Sequence, residues 1–164
     1  MTHQELAAWI SAIASAVSAV GVLLAIRQLR LTKGIAQKQF EDHLAREYRD
    51  LAGQLPVKAL LGRQLNEDEY REAFDKLFRY IDLCNEQVFL RQQDRISLDV
   101  WENWCAGIES NLRRPAFGRA WGEIKAKCES FAELRRLETE EYKIDPLKWG
   151  ETPATLEPQA SARG

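Results

Sequence analysis

Apolar and polar positions along the chain fall into three regimes. From Leu6 to Ile26, 21 residues run without an Asp, Glu, Lys or Arg. Wound as an α-helix, that run spans roughly 31 Å, the hydrocarbon thickness of a bilayer. It is apolar or small on every side, whereas a helix lying on a soluble domain shows a polar stripe. From residue 27 to about 139, apolar residues recur at spacings of three and four, the period of amphipathic helices. Beyond Glu138 the rhythm stops. Residues 140–164 hold three of the five prolines and few large apolar side chains, which predicts an extended or disordered tail. Trp149, beside Leu147, is the exception and is expected to dock back on the helices or to anchor a partner.

Flanking charge orients the first regime. The first five residues contain no Lys or Arg, while Arg27, Arg30, Lys33 and Lys38 follow the apolar run. A signal peptide needs its positive charge ahead of the apolar stretch. Under the positive-inside rule this order places the N-terminus outside and the rest of the chain in the cytoplasm, with Trp9 near one interface. The same four basic residues lie where anionic headgroups attract about 1 kcal/mol per charge. Ala7, Ser11, Ser15 and Ala19 are spaced by four, and Ala8, Ala12 and Ala16 form a second ladder. Small residues at this spacing let helices approach closely in lipid, so a self-associating anchor is expected. A buried helix of a soluble core remains the alternative.

The second regime predicts a bundle of about four helices. The first continues from the anchor without a proline, presenting Ala36, Phe40, Leu44, Tyr48, Leu51 and Leu55 on one face, and ends at Gly53 and Pro56. Residues 56–61 suggest one short helical turn. Asn66 followed by Glu67, Asp68 and Glu69 forms an N-cap with a capping-box partner. The helix it opens carries Tyr70, Phe74, Leu77, Ile81, Cys84 and Val88 as a seam and runs to about Gln92. Ser97 and Leu98 start the next, with Trp101, Trp104, Cys105, Ile108 and Leu112 on one face. Pro115 suits the first position of a last long helix, which carries Phe117, Trp121, Ile124, Cys128, Phe131 and Leu134 as far as Leu137.

Composition narrows the chemistry. Net charge is −2 at pH 7, without the basic excess of nucleic-acid binders. His3 and His43 are the only histidines, so a histidine metal site is nearly excluded. Cys84, Cys105 and Cys128 form no CxxC and lie on apolar faces, which predicts reduced, buried and unreactive thiols. No phosphate-binding glycine loop, dinucleotide fingerprint, nucleophile elbow or zinc-protease motif occurs, so no cofactor, metal or catalytic residue is assigned. Asp82 with Glu86, and His43 with Glu47, read as surface pairs at i, i+4. The best small-ligand candidate is Arg113, Arg114 and Arg119 around Pro115, where two arginines at a helix N-terminus suit an anion. The alternative is an exposed basic turn. The tryptophans of the WENW stretch, with Trp121, form either core or an aromatic pocket.

The stretch FRYIDLCNEQVFLRQQDRISLDVWENWCAGIESNLRRPAFGRAW, residues 78–121, resembles a family of small uncharacterised bacterial membrane proteins. The aromatic-plus-NE stretch, the IS helix start, the tryptophan pair and P-x-F before another tryptophan carry the likeness. The resemblance implies a single-pass inner-membrane protein with an all-helical cytoplasmic domain, and it implies no activity. The expected organisation is an all-α chain with a transmembrane anchor over 1–26, a bundle over 27–139 and a tail over 140–164. The expected function is a non-enzymatic, membrane-tethered interaction or assembly module. Its expected partners are the bilayer, further copies of itself and an unidentified cytoplasmic protein. The alternative is a membrane effector of a defence or toxin system that clusters and permeabilises the bilayer.

Overall fold

The computed structural model describes the backbone of residues 3–150 and the side chains of residue 18 and residues 20–150. Among these the chain is all-helical: α1 (His3–Gln54), α2 (Val57–Leu60), α3 (Glu67–Gln92), α4 (Leu98–Leu112), α5 (Pro115–Lys127), α6 (Ala132–Thr139) and a 3₁₀ turn (Pro146–Lys148). The chain divides into two compact units, residues 1–39 and 40–164. The division falls inside α1, later than the expected boundary at residue 26.

The first unit is the N-terminal part of α1. Its side chains from Val20 to Leu31 are all exposed, Arg27 and Arg30 among them, as are Lys33 and Lys38. Among the described residues no helix is long and apolar enough to cross a membrane. Most side chains of the expected anchor lie outside the described residues, including Ala7, Ser11, Ser15 and Ala19.

The second unit is built around α3. Asn66 opens this helix with the expected capping box: its Oδ1 accepts from the Glu69 N–H at 2.9 Å, and Glu69 Oε2 accepts from the Asn66 N–H at 3.0 Å. Glu67, Asp68 and Glu69 then complement the helix dipole. Buried residues of α3 point in several directions, including Leu77, Tyr80, Ile81, Leu83, Cys84, Val88 and Leu90. Accordingly α3 packs against α5, α6 and the 3₁₀ turn, while α4 and α2 pack on α5. Leu44 and Leu51 of α1, and Leu55 just after it, join the same core, but Phe40 and Tyr48 on that face are 36% and 40% exposed. Between α4 and α5 the backbone turns within two residues, Arg113 and Arg114. A Cβ on Gly118 would sit 2.9 Å from the Leu112 carbonyl oxygen, so only glycine permits that approach.

The last long helix expected from Pro115 to Leu137 is two helices. Phe131 adopts the left-handed conformation, with φ 67° and ψ 40°, and separates α5 from α6. Side chains that arrive from elsewhere satisfy the helix ends this break exposes. Arg135 donates to the carbonyls of Lys125 at 3.1 Å and Ser130 at 3.0 Å, and also to that of Cys128. Asn85 of α3 accepts from the Leu134 N–H at 3.0 Å and caps α6 across the bundle. The apolar spacing continues through the break because Phe131, Leu134 and Leu137 all remain buried.

Beyond α6 the chain stays on the bundle as far as residue 150, whereas an extended tail was expected from residue 140. Glu141 and Tyr142 take positive φ, and the Tyr142 N–H returns to the Leu137 carbonyl at 2.9 Å, closing the helix. Trp149 is 4% exposed, with the Arg136 guanidinium 4.6 Å from its ring centroid. The clamp on this segment is Arg91 of α3. Its Nε and Nη2 donate to Asp145 Oδ1 and Oδ2 at 2.8 and 2.5 Å, and its Nη1 donates to the Ile96 carbonyl at 2.7 Å. Asp145 Oδ1 also accepts from the Leu147 N–H at 3.1 Å, starting the 3₁₀ turn.

Arg91 is 4% exposed, so truncating it leaves the partly buried Asp145 carboxylate without its partner. Arg91→Met is expected to lower stability by about 3–5 kcal/mol in urea unfolding. Burial pulls the Asp145 pKa upward, but hydrogen bonds from Arg91 and Leu147 and the charges of Arg91 and Lys148 outweigh it. The carboxyl is held below the ordinary value of 3.8. A depressed carboxylate contributes stability above its unfolded pKa and loses it as pH falls through the folded one. Wild type should therefore lose stability more steeply than Asp145→Asn below pH 3.8 in acid titrations followed by circular dichroism.

Candidate functional site

Within the second unit a cleft opens between α1, α3 and α4. Its volume is about 340 Å³, and Ala45, Tyr48, Arg49, Tyr80, Gln87, Asn103, Trp104, Gly107, Ile108 and Asn111 line it. Helical period places these groups together. Tyr80 and Gln87 stand two turns apart on α3, and Trp104, Gly107, Ile108 and Asn111 share one face of α4. Tyr48 and Arg49 arrive from α1, with the Tyr48 ring 6.2 Å from that of Tyr80.

The cleft lining is mostly apolar but includes three buried polar side chains. Tyr80, Gln87 and Asn111 are 3%, 5% and 7% exposed. Asn111 Nδ2 donates to the Tyr80 hydroxyl oxygen at 2.6 Å, which accounts for two of these groups. Among the described residues nothing hydrogen-bonds the Gln87 carboxamide, and nothing pairs with the Arg49 guanidinium at the rim. The Gln87 amide reaches the cleft surface, where water or a ligand can satisfy it. No carboxylate lines the cleft.

Gly107 bears on the same space. A Cβ built there meets nothing within 4 Å, so packing does not demand a glycine in mid-helix. Alanine at such a position is favoured by about 0.8–1 kcal/mol on helix propensity. What glycine preserves is the open wall of the cleft.

Burial governs the titratable groups in and around the cleft. Burial, reinforced by the neighbouring Cys84, pushes the Tyr80 hydroxyl far above its ordinary value, so it stays neutral. Burial likewise pushes the Cys84 thiol up to about 12. Burial, then Glu109 and Asp145, pushes Cys105 up to about 11. Hydrogen bonding and stacking are what the cleft offers.

The sequence-derived candidates sit elsewhere. Arg119 closes its fork on Glu67, with both N–H···O distances 2.8 Å, and stacks 3.8 Å over the Tyr70 ring. Arg113 pairs with Glu109 at 2.5 Å, and Arg114 packs near Gly62. An anion at Arg113 or Arg119 must displace a carboxylate first. His43 and Glu47 form an exposed pair at 3.9 Å, and Asp82 and Glu86 are both exposed. Trp101 and Trp121 are core residues, whereas Trp104 borders the cleft. Pattern reading passed over Gln87 and Asn111. Their legible signal is a polar residue at core spacing, Gln87 three after Cys84 and Asn111 three after Ile108.

Cys84 and Cys105 are buried free thiols and Cys128 is half-buried. Native-state iodoacetamide labelling read by peptide mass spectrometry should modify Cys128 first, with Cys84 and Cys105 reacting only on unfolding. No protein-family model matches the chain, and neither a curated protein nor a solved structure matches it.

Proposed function

We propose that this chain is a non-enzymatic interaction module that its N-terminal segment tethers to a bilayer and brings into self-association. One observation carries the reading: Val20, Val22, Leu23, Leu24 and Ile26 are 42–67% exposed on α1. Apolar surface left in water costs about 25 cal/mol per Å², so a run of this kind calls for a cover. A bilayer is the occupant that fits, because the run continues the uncharged stretch that begins at Leu6 and ends against Arg27 and Arg30. The four-residue ladder from Ala7 to Ala19 supplies the small faces on which such helices associate. The cytoplasm is then the compartment of the second unit, by the same charge asymmetry.

Membrane fractionation with alkaline carbonate extraction tests the tether on the full chain. Wild type is expected in the extracted membrane pellet. Ala16→Arg with Val20→Arg adds about 2.5–3.5 kcal/mol per charge to insertion and should release the chain. Recovery of wild type in the soluble fraction would overturn the proposal. In-membrane crosslinking should give a ladder containing this chain alone, and Ser11→Phe with Ser15→Phe should reduce it.

A further inference from the structure

We propose that the cleft between α1, α3 and α4 is a binding site for a nucleoside monophosphate. The inference stands on the cleft alone and is independent of where the N-terminal segment resides. Three features select the ligand, and each lies on a different part of the wall.

The first is the unpartnered Gln87 carboxamide, 5% exposed at the cleft surface. A carboxamide presents a donor and an acceptor side by side, the arrangement that pairs with the edge of a nucleobase. Asn111 adds an acceptor, since its Nδ2 is committed to Tyr80 and its Oδ1 is not. The second feature is aromatic. Tyr48 on α1 and Trp104 on α4 flank the opening, and base stacking on such rings contributes about 1–3 kcal/mol per base. The third is charge. Arg49 stands at the rim without a carboxylate partner among the described residues, and a guanidinium fork matches phosphate oxygens. The paired Arg113 and Arg119 are the contrast.

Size agrees with this assignment, because about 340 Å³ lies at the lower end of small-molecule pockets. Gly107 keeps the α4 wall bare where any side chain would intrude. The base enters with its edge on Gln87 and Asn111 and its faces toward Tyr48 and Trp104. The phosphate remains outside on Arg49.

Isothermal titration of the full chain in detergent micelles tests the proposal, using AMP, GMP, CMP, UMP, their nucleosides and inorganic phosphate. At least one nucleotide is expected to bind saturably and more tightly than phosphate. Gln87→Leu removes the amide at similar volume and should weaken that binding about tenfold or more. Gly107→Phe fills the cleft from a position with free space and should abolish binding. It serves as the independent variant if Gln87→Leu melts early by circular dichroism. Arg49→Ala should weaken the nucleotide about tenfold and leave its nucleoside unchanged. The proposal is overturned by an absence of saturable heat for all four nucleotides up to millimolar concentration. Phosphate binding as tightly as every nucleotide, or affinity unchanged in folded Gly107→Phe, also overturns it.

Discussion

The second unit depends on a charge it buries. Arg91 carries its guanidinium into the interior of α3, where an isolated cation is untenable. Three acceptors make it tolerable: both oxygens of Asp145 and the carbonyl of Ile96. Those acceptors come from the loop after α3 and from a segment 54 residues on, beyond α6. The side chain therefore fixes two connections that have little apolar surface of their own. Ile96 is fully buried under this arrangement, and Pro146 and Trp149 close over the same end of α3. A pair of this kind supplies uniqueness of docking more than net stability, because desolvation consumes much of the Coulombic gain.

The junction of α5 and α6 follows the same logic. Breaking a helix exposes carbonyls at one end and N–H groups at the other. Arg135 reaches back for the carbonyls, and Asn85 reaches across from α3 for an N–H. Both are polar residues serving backbone groups distant from their own turn. The bundle accepts a left-handed Phe131 because its ring packs in T-shaped geometry against Phe78 and Trp121 at 5.6 and 6.1 Å. Aromatic burial holds a conformation that local preference disfavours.

The cleft differs from both. The Arg91 and Arg135 guanidiniums find their acceptors within the chain, whereas no hydrogen bond reaches the Gln87 carboxamide from the described residues. Burial holds the Tyr80 hydroxyl on the cleft wall and the neighbouring Cys84 thiol protonated.

Much of the local structure was legible in the residues themselves. The Asn66–Glu69 capping box, Pro115 at the first turn of α5, the termination of α1 before Pro56 and the apolar seam of α3 are short-range signals. They act within one or two helical turns, so the sequence determined them. Burial of Cys84 and Cys105 followed from the same periodicity, whereas Cys128, just past the end of α5, is only half-buried. Tertiary structure alone decided the break at Phe131, because the three-four rhythm runs through it and the groups that stabilise it lie on α3 and further along the chain. It alone decided that residues 140–150 stay docked, since composition there reads as tail while Asp145 is held by an arginine 54 residues earlier. It also decided which arginines are already paired and which polar side chain is left open: Arg119 meets Glu67, and Gln87 meets only the cleft. Sequence records residue types at their spacings, and the partner of a buried charge or amide is set by the packing that brings distant segments together.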